Sequence, residues 1–412
     1  MTSWLRLGCF ALLLAAGSAR AQVRPGCEVL AAGGFKELRG KRVALITNQT
    51  GVDSRGRSTV GRLRAAPGVD LVALFAPEHG FDGTLPAGKE FGNTRDARTG
   101  LPVFSLYGPG PTRQPTPAML KGIDAVVYDL QDTGCRSYTF ISTMGQTMAA
   151  CGAAGVEFVV LDRPNPLGGV RVEGPMLEDK FRSFVGRWNV PYVYGLTCGE
   201  LARMINGEGW ITNRCRLTVV PMQGWRRSMA WGDTGLSWVA TSPNVPNGDS
   251  PLYLTATGLL GEIGTVSVGL GSTLPFQCVA APWLEAGKTC RLLTRFRLAG
   301  VKFTPVSFIP ARGAFRDQRV SGARIRFTDP ARAPLMAINF YAYDAARLLG
   351  RRDLFAEAVR QGRSFAMFDK VNGTDAVRKA LQAGHSAASI VASWKPGEDS
   401  FRRRREKYLL YR

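Results

Sequence analysis

Histidine is the scarcest acid–base side chain in this sequence, because the 412 residues include only two, His79 and His385. A metal site built from several histidines is therefore excluded, and a Ser-His-Asp triad would depend on one of these two. His385 follows a predicted helix at 375–384 and is expected at the surface. His79 is therefore the histidine to consider for chemistry.

Several catalytic and nucleotide-binding motifs are also missing. The chain has no G-x-S-x-G, no H-E-x-x-H, no P-loop and no G-x-G-x-x-G after its first predicted strand. Its cysteines are widely spaced without a C-x-x-C, which argues against structural zinc. Cys278 and Cys290 are a plausible disulfide pair if the chain is exported. We expect neither a metal nor an organic cofactor.

Long apolar runs are absent except at the N-terminus. There, Arg6 precedes an apolar stretch from Leu7 to Ala16, and an A-x-A cleavage site ends at Ala21. The stretch is too short to span a membrane. We interpret residues 1–21 as a signal peptide and expect an exported protein, periplasmic or secreted, without a membrane span.

Acidic residues are outnumbered by basic ones, 32 against 53, which gives a formal net charge of +21. Such a surplus suits nucleic acid, an anionic membrane surface or an acidic polymer of the cell envelope. The basic residues are spread along the chain and dense only at Arg402–Arg405. No nucleic-acid motif accompanies them. We therefore expect no nucleic-acid partner and favour an acidic wall polymer.

The first half of the chain has the pattern of a parallel sheet. Near-continuous apolar runs, typical of strands buried on both faces, alternate with helix-like stretches. The runs are at 42–47, 69–76, 101–107, 123–130 and 156–162. We predict an α/β fold, with a Rossmann-like open parallel sheet at 22–190 and a smaller α+β domain at 191–412. A Pro-rich loop is predicted at 238–254 and a capping box at Thr197 and Glu200.

Polar side chains follow four of the predicted strands. Ligands of open parallel sheets bind beyond the carboxyl ends of the strands, so these clusters are expected to meet at one site. In chain order they are Asn48 and Gln49; Glu78 and His79; Asp129, Gln131, Asp132 and Arg136; and Asp162, Arg163 and Asn165.

Carboxylates dominate the chemistry that remains. Glycosidic hydrolysis typically needs one protonated carboxyl group and one carboxylate that acts as base or nucleophile. The candidates are Glu78, Asp129, Asp132, Asp162 and Glu173. Structural alternatives stay open for three of them: Glu78 could cap a helix, Asp129 could serve a turn or a cap, and Asp162 could hold an Asx-type turn. Arg136 and Arg163 could bind a substrate carboxylate or form ion pairs with their neighbours.

Six ordered motifs and two C-terminal ones carry a family resemblance over nearly the whole mature chain. They are ITNQTGVD (46–53), FAPEHGFDG (75–83), DLQDTGCRSYTF (129–140), LDRPNPLGG (161–169), EGP (173–175), TSPNVP (241–246), FDKVNGTD (368–375) and REKYLLY (405–411). The set resembles the bacterial exo-β-N-acetylmuramidases of the former DUF1343 group, the NamZ-like enzymes. The resemblance implies two domains around a cleft and release of N-acetylmuramic acid from the non-reducing end of peptidoglycan fragments, either muropeptides or the disaccharide with N-acetylglucosamine.

The resemblance also implies roles for residues. Glu78 is the best candidate for a catalytic carboxylate and Glu173 for the second, with Asp129 and Asp162 as rivals. Arg136 or Arg163 would bind the lactyl carboxylate of the sugar. The other expected substrate-binding residues are Asn48, Gln49, His79, Gln131, Tyr138, Asn165 and Asn244. Retaining and inverting mechanisms both stay open, as does the oligomeric state.

Two stretches depart from the family pattern. Tyr194 and Gly195 stand where the family usually has an Arg-His pair, and Leu270 stands where an arginine is common, with Ile263 after Glu262. Both stretches are expected to face the cleft and to affect substrate preference. They motivate an alternative function, a non-catalytic protein that binds muropeptides. An esterase or deacetylase of wall sugars is a weaker alternative, because a nucleophile elbow and a metal triad are missing.

Overall fold

The computed structural model describes residues 22–109 and 113–412, so the predicted signal peptide lies outside the described residues. A seven-stranded sheet forms the centre of the first half. Its strands are β1 (Lys41–Thr47), β2 (Val69–Ala76), β3 (Thr94–Arg95), β4 (Pro102–Ser105), β5 (Ala125–Asp129), β6 (Glu157–Leu161) and β7 (Arg216–Val220).

The strand order is β3-β4-β2-β1-β5-β6-β7, and every neighbouring pair except β3 with β4 is parallel. The central strands are apolar because both faces are covered, and all five residues of β5 are buried. The helices of this half are α1 (Gly26–Ala32), α2 (Thr59–Arg64), α3 (Pro117–Leu120), α4 (Phe140–Ala154) and α5 (Cys198–Gly207). The arrangement confirms the predicted α/β class and aligns the carboxyl ends of β1, β2, β5 and β6 along one edge.

The second half is built on a three-stranded antiparallel sheet with the order β8-β10-β9. Its elements are α6 (Ser250–Ile263), β8 (Cys278–Ala281), α7 (Ala286–Arg295), β9 (Val301–Phe308), β10 (Val320–Phe327), α8 (Leu335–Gly350), α9 (Leu354–Arg360), α10 (Ala366–Asn372), α11 (Ala376–Gln382), α12 (Ala387–Ala392) and α13 (Lys395–Arg405). The predicted smaller α+β unit is therefore present. Within 22–109 and 113–412, no helix combines the length and apolarity needed to cross a membrane.

The division between the halves lies later in the chain than residue 190. Helix α5 and strand β7 both follow that residue, yet β7 pairs with β6 in the first sheet. The second unit begins with α6, inside the stretch 238–254 that was predicted as a loop. Pro251 made that stretch look irregular. Proline is tolerated in the first turn of a helix, where its missing N–H costs no hydrogen bond.

Two local predictions have opposite outcomes. Thr197 Oγ1 accepts a hydrogen bond from the Glu200 N–H at 3.2 Å, and Glu200 Oε2 accepts one from the Thr197 N–H at 3.1 Å, which confirms the capping box. The disulfide between Cys278 and Cys290 is wrong, because all seven cysteines of the described residues are unpaired. Cys278 lies buried in β8, while Cys290 lies on α7.

A buried arginine joins the two halves. Arg136 is fully buried. Its Nη1 donates to the carbonyls of Pro175 (2.9 Å) and Val190 (2.7 Å), and its Nη2 donates to those of Val371 (3.1 Å) and Asn372 (2.6 Å). The last two carbonyls end α10, where a helix leaves partially negative C=O groups without partners. Arg136 therefore caps a helix of the second half and is not free to bind a substrate carboxylate, contrary to the prediction.

The dense arginine run at the end of α13 also joins the two halves of the chain. Arg402 Nη2 donates to the carbonyl of Val172 at 2.8 Å, and Arg404 Nη2 donates to that of Asn189 at 2.7 Å. Arg405 Nη1 donates to the consecutive carbonyls at 194 and 195. Burial lowers the pKa of Arg405 to about 10, so it stays charged at neutral pH. Part of the positive surplus therefore stabilises the fold directly.

The last turn of the chain completes the first half. Tyr411 Oη donates to Asp162 Oδ2 at 2.6 Å and accepts from the Met222 N–H at 2.9 Å. The tyrosine ring packs on Trp225, with ring centroids 5.0 Å apart. Asp162 is fully buried, and burial raises its pKa to about 6. Tyr411 thus packs directly beyond the end of β6, against Asp162.

We predict that Arg136→Leu lowers the free energy of unfolding by about 3–5 kcal/mol, because four buried carbonyls lose their donor. Urea unfolding measures the change. Arg316→Leu is the control, since Arg316 is exposed and forms a surface ion pair with its neighbour Asp317, and it should change stability by less than about 0.5 kcal/mol. Equal effects of the two substitutions would contradict the assigned role of Arg136.

Candidate active site

Glu78 is held in one orientation just beyond the end of β2. Its Oε1 accepts a hydrogen bond from the Gly88 N–H at 2.7 Å, and its Oε2 accepts one from Thr139 Oγ1 at 2.6 Å. Thr139 directly precedes α4, which follows β5 in the chain. Only 6 % of Glu78 is exposed. The carboxylate is therefore fixed by two different loops at the carboxyl edge of the sheet.

His79 turns the chain sharply at this edge. Its φ of 72° lies in the left-handed region, and Gly80 follows with a φ of 79°. The His79 ring nitrogen Nδ1 lies 2.8 Å from the carbonyl oxygen of Leu85, and the ring stacks on Tyr138 with centroids 6.4 Å apart. The turn brings the following loop back onto Glu78, and it places an imidazole and a phenol side by side.

A cavity of about 200 Å³ opens between the two halves at this point. The first half contributes Glu78, His79 and Tyr138, and the second half contributes Glu262 from α6 and Met367 from α10. Asn244, from the segment that joins the halves, also lines it. Four predicted site residues, Glu78, His79, Tyr138 and Asn244, therefore meet in one cavity.

Glu262 is the second carboxylate of this cavity, and the sequence reasoning missed it. It lies in the last turn of α6 and is exposed to the cavity. The protein around its carboxyl group removes water and raises its pKa. Leu254 and Gly258 line the same wall, so the residues of α6 that face the cavity are spaced four apart, as expected for one face of a helix. That spacing was the available signal, but it was hidden because the first residues of α6 were assigned to the predicted loop 238–254.

Asp129 and Arg163 form a buried ion pair instead of facing a substrate. Arg163 Nε lies 2.6 Å from Asp129 Oδ1, and Arg163 Nη2 lies 3.0 Å from Asp129 Oδ2. Thr59 Oγ1 donates to the same Oδ2 at 2.5 Å. Both residues are less than a tenth exposed. The structural alternative applies here, and the pairing argues against the catalytic and carboxylate-binding roles predicted for them.

Asp162 also has a structural environment. In addition to Tyr411, its carboxylate accepts hydrogen bonds from Thr197 Oγ1 at 2.7 Å and from the Gly199 N–H at 2.8 Å. It joins β6, α5 and the chain end. This network argues against the predicted role of Asp162 as a rival catalytic carboxylate.

The remaining predicted residues at the strand ends hold turns and loops. Asn48 Oδ1 accepts from the Thr50 N–H at 2.9 Å, and Gln49 Nε2 donates to the carbonyl of Ala240 at 2.6 Å. Gln131 Nε2 donates to the carbonyl of Pro164 at 2.8 Å, and Asn165 Nδ2 donates to that of Leu196 at 2.9 Å. Their amides therefore shape the edge on which the cavity is built, and none of the four lines the cavity.

Glu173 lies in a different and larger cavity, of about 660 Å³. One of its oxygens accepts from Arg171, and the other accepts from the Met336 N–H at 2.8 Å, at the start of α8. Glu398 of the same cavity accepts from the Gly174 N–H. Because the carboxylate of Glu173 is engaged outside the Glu78 cavity, its position argues against the predicted role as second catalytic carboxylate.

The described residues contain no group of three or more His, Cys, Asp or Glu side chains arranged to hold a metal ion. The lining of the Glu78 cavity supplies two carboxyl groups, an imidazole and neutral polar groups.

Family models match both halves of the chain. The N-terminal model of the exo-β-N-acetylmuramidase NamZ matches residues 43–249, and the C-terminal model matches residues 252–411. The chain belongs to the NamZ family. This membership confirms the resemblance seen in the motifs and, with it, the predicted class of glycoside hydrolase.

Individual members of the NamZ family are similar over almost the full length. The peptidoglycan β-N-acetylmuramidase NamZ of Bacillus subtilis strain 168 is 38% identical over 390 residues, which cover 95% of this chain and 92% of the relative. Two solved DUF1343 family structures from Bacteroides fragilis each cover 95% of this chain. The first is 43% identical with a TM-score of 0.88, and the match covers 100% of its chain. The second is 31% identical with a TM-score of 0.74, and the match covers 99% of its chain.

The departures from the NamZ pattern lie mostly away from the cavity. Tyr194 is 1 % exposed, and its hydroxyl donates to Asp132. Gly195 has a φ of 56° and presents its carbonyl to Arg227 and Arg405. Both residues therefore pack inside the protein, so the expectation that this stretch faces the cleft is wrong. In the second stretch, Leu270 is half-buried and does not line the Glu78 cavity, whereas Glu262 does, so the expectation for this stretch is confirmed in part.

We predict that Thr139→Val lowers kcat about tenfold with little change in KM, because Glu78 loses the hydroxyl that orients it. Thr139→Ser keeps the hydroxyl and should keep most of the activity. Steady-state kinetics on an aryl β-N-acetylmuraminide measure both variants. Equal losses in the two variants would show that the methyl group, rather than the hydrogen bond, matters at this position.

Proposed function

We propose that this protein is an exo-acting β-N-acetylmuramidase. It hydrolyses the glycosidic bond that joins a terminal N-acetylmuramic acid residue to the rest of a peptidoglycan fragment, and its catalytic carboxyl groups are those of Glu78 and Glu262. The observation that carries the assignment of these two residues is their presence in one cavity, one from each half of the chain. A pair of carboxyl groups that flank the bond is the usual equipment for glycoside hydrolysis.

The environments of the two carboxyl groups suit different roles. Glu262 has a raised pKa and no hydrogen-bond partner among the described residues, so it can hold a proton and donate it to the leaving oxygen. Glu78 has both oxygens fixed by hydrogen-bond donors, so it is positioned as the base or nucleophile.

The size of the cavity supports exo action. Its volume of about 200 Å³ lies below the roughly 300–1,000 Å³ of pockets for drug-sized ligands. A single sugar residue is a better match for this space than several. The stacked His79 and Tyr138 provide an apolar ring face beside hydroxyl and amide groups, which suits the mixed surface of a sugar.

We predict that the chain from Gln22 onward releases nitrophenol from para-nitrophenyl β-N-acetylmuraminide and not from the N-acetylglucosamine analogue. Glu78→Gln should abolish this release without loss of folding. Glu173→Gln is the control and should stay active, because Glu173 lies in the other cavity. Colorimetric kinetics and thermal unfolding give both readouts. Binding of fragments by the wild-type chain without hydrolysis would favour a non-catalytic binding protein.

We predict a substrate-dependent defect for Glu262→Gln. Nitrophenol leaves readily without a proton, whereas the sugar hydroxyl of a disaccharide needs one, so the variant should lose more activity on the disaccharide of N-acetylmuramic acid and N-acetylglucosamine. In the wild type, kcat/KM on the disaccharide should fall as pH rises through the raised pKa of Glu262, because the protonated form is lost. On the aryl substrate, which needs no proton from Glu262, the pH profiles of wild type and variant should both lack this limb; equal losses of activity on both substrates would refute the acid role.

We infer that the protein is exported by its N-terminal segment and acts outside the cytoplasm, where wall fragments arise. The support is the charged start, apolar stretch and A-x-A site within residues 1–21. N-terminal sequencing of the protein from an expressing bacterium should give Gln22 as the first residue. Protein with an intact N-terminus in the cytoplasm would contradict this inference.

A further inference from the structure

Arg312 lies beside the wall of the Glu78 cavity. Its Nη2 donates to Asn244 Oδ1 at 2.7 Å, and Asn244 lines the cavity. The backbone at this point is held against Gly271, whose carbonyl accepts from the Ala311 N–H at 2.9 Å. A Cβ on Gly271 would lie 2.5 Å from the backbone nitrogen of Arg312, so glycine at this position permits the close approach of the two backbone segments. The arginine is therefore oriented by its backbone and by one side chain.

The cavity itself has no strong positive charge in its wall. Its lining includes Glu78 and Glu262, and none of the described residues that line it is lysine or arginine. The arginines expected to bind a substrate carboxylate, Arg136 and Arg163, are buried and engaged elsewhere. An anionic sugar that enters this cavity therefore needs a cation from outside the wall.

Arg312 is available for that purpose. It is exposed, and within the described part of the chain no carboxylate pairs with it. Its bond to Asn244 uses one of five N–H donors, so donors remain for the bidentate contact that guanidinium groups make with carboxylates. Lys89, which follows Gly88 beside Glu78, is also exposed. Its ammonium group has no hydrogen-bond or ion-pair partner among the described residues, so it is not oriented in the way that the Arg312 guanidinium is.

We propose that Arg312, oriented by Asn244, binds the free lactyl carboxylate of N-acetylmuramic acid and so selects this sugar over N-acetylglucosamine. The two sugars differ by the lactyl ether and its carboxylate, so a cation at this position distinguishes them directly. The proposal rests on the proposed function, because it places N-acetylmuramic acid in the Glu78 cavity.

Calorimetric titration of the full mature chain with free N-acetylmuramic acid and with N-acetylglucosamine tests the proposal. The wild type should prefer N-acetylmuramic acid, and Arg312→Ala should weaken its binding on the order of tenfold while leaving N-acetylglucosamine unchanged. Arg312→Lys should restore part of the preference. Arg316→Ala, four residues along the same segment, and Lys89→Ala are matched controls that should keep it. An unchanged preference in Arg312→Ala, or its loss in Lys89→Ala, overturns the proposal.

The source of the carboxylate is tested with muramyl dipeptide, in which the lactyl group forms an amide and the free carboxylate lies on the peptide. Arg312→Ala should leave its affinity unchanged. An equal loss for the dipeptide and for N-acetylmuramic acid overturns the lactyl assignment. Because binding requires no turnover, an Arg312-dependent preference in a chain that hydrolyses nothing would refute the proposed catalysis and support this inference. Absence of any preference in the wild type refutes the inference.

Discussion

Hydrogen bonds from buried guanidinium groups to backbone carbonyls hold the two halves of this protein together. Arg136, in the loop between β5 and α4, reaches the carbonyl end of α10, and Arg405, at the end of α13, reaches the carbonyls of residues 194 and 195. An arginine suits this task because it has five donors in a rigid plane and keeps its charge when buried. Gly373 is part of the same device, since a Cβ there would lie 2.5 Å from Arg136 Nη2. The junction therefore depends on position and donor geometry more than on pairing of charges.

The proposed chemistry depends on that junction. Glu78 belongs to the sheet edge, and Glu262 belongs to α6, which packs with the second half. Their relative placement is thus set by the contact between halves, and neither half alone contains the pair. The clamp at Arg136 lies on the loop that leads to Thr139, the residue that orients Glu78. The contacts that stabilise the junction consequently also fix the relative positions of Glu78 and Glu262 in the cavity.

Sequence patterns predicted the sheet and the edge at which Glu78 and His79 lie, because apolar runs and the polar residues behind them are local signals. They did not distinguish the role of Glu78 from that of Asp129. An acidic residue after a predicted strand gives the same sequence pattern whether it acts on a substrate or, as Asp129 does, forms a buried ion pair with an arginine. Glu262 was missed because its place depends on contact between distant elements. Arg136 was misassigned for a similar reason: its four carbonyl partners carry no side-chain signature.

The contact of Tyr411 with Asp162 constrains the order in which the chain can mature. A ribosome produces residue 411 after every strand of the first sheet, so the hydroxyl partner of Asp162 arrives only when those strands already exist. Until then, a fully buried position beyond β6 stays open to water. The first half is therefore incomplete during synthesis, whereas N-terminal domains often fold first.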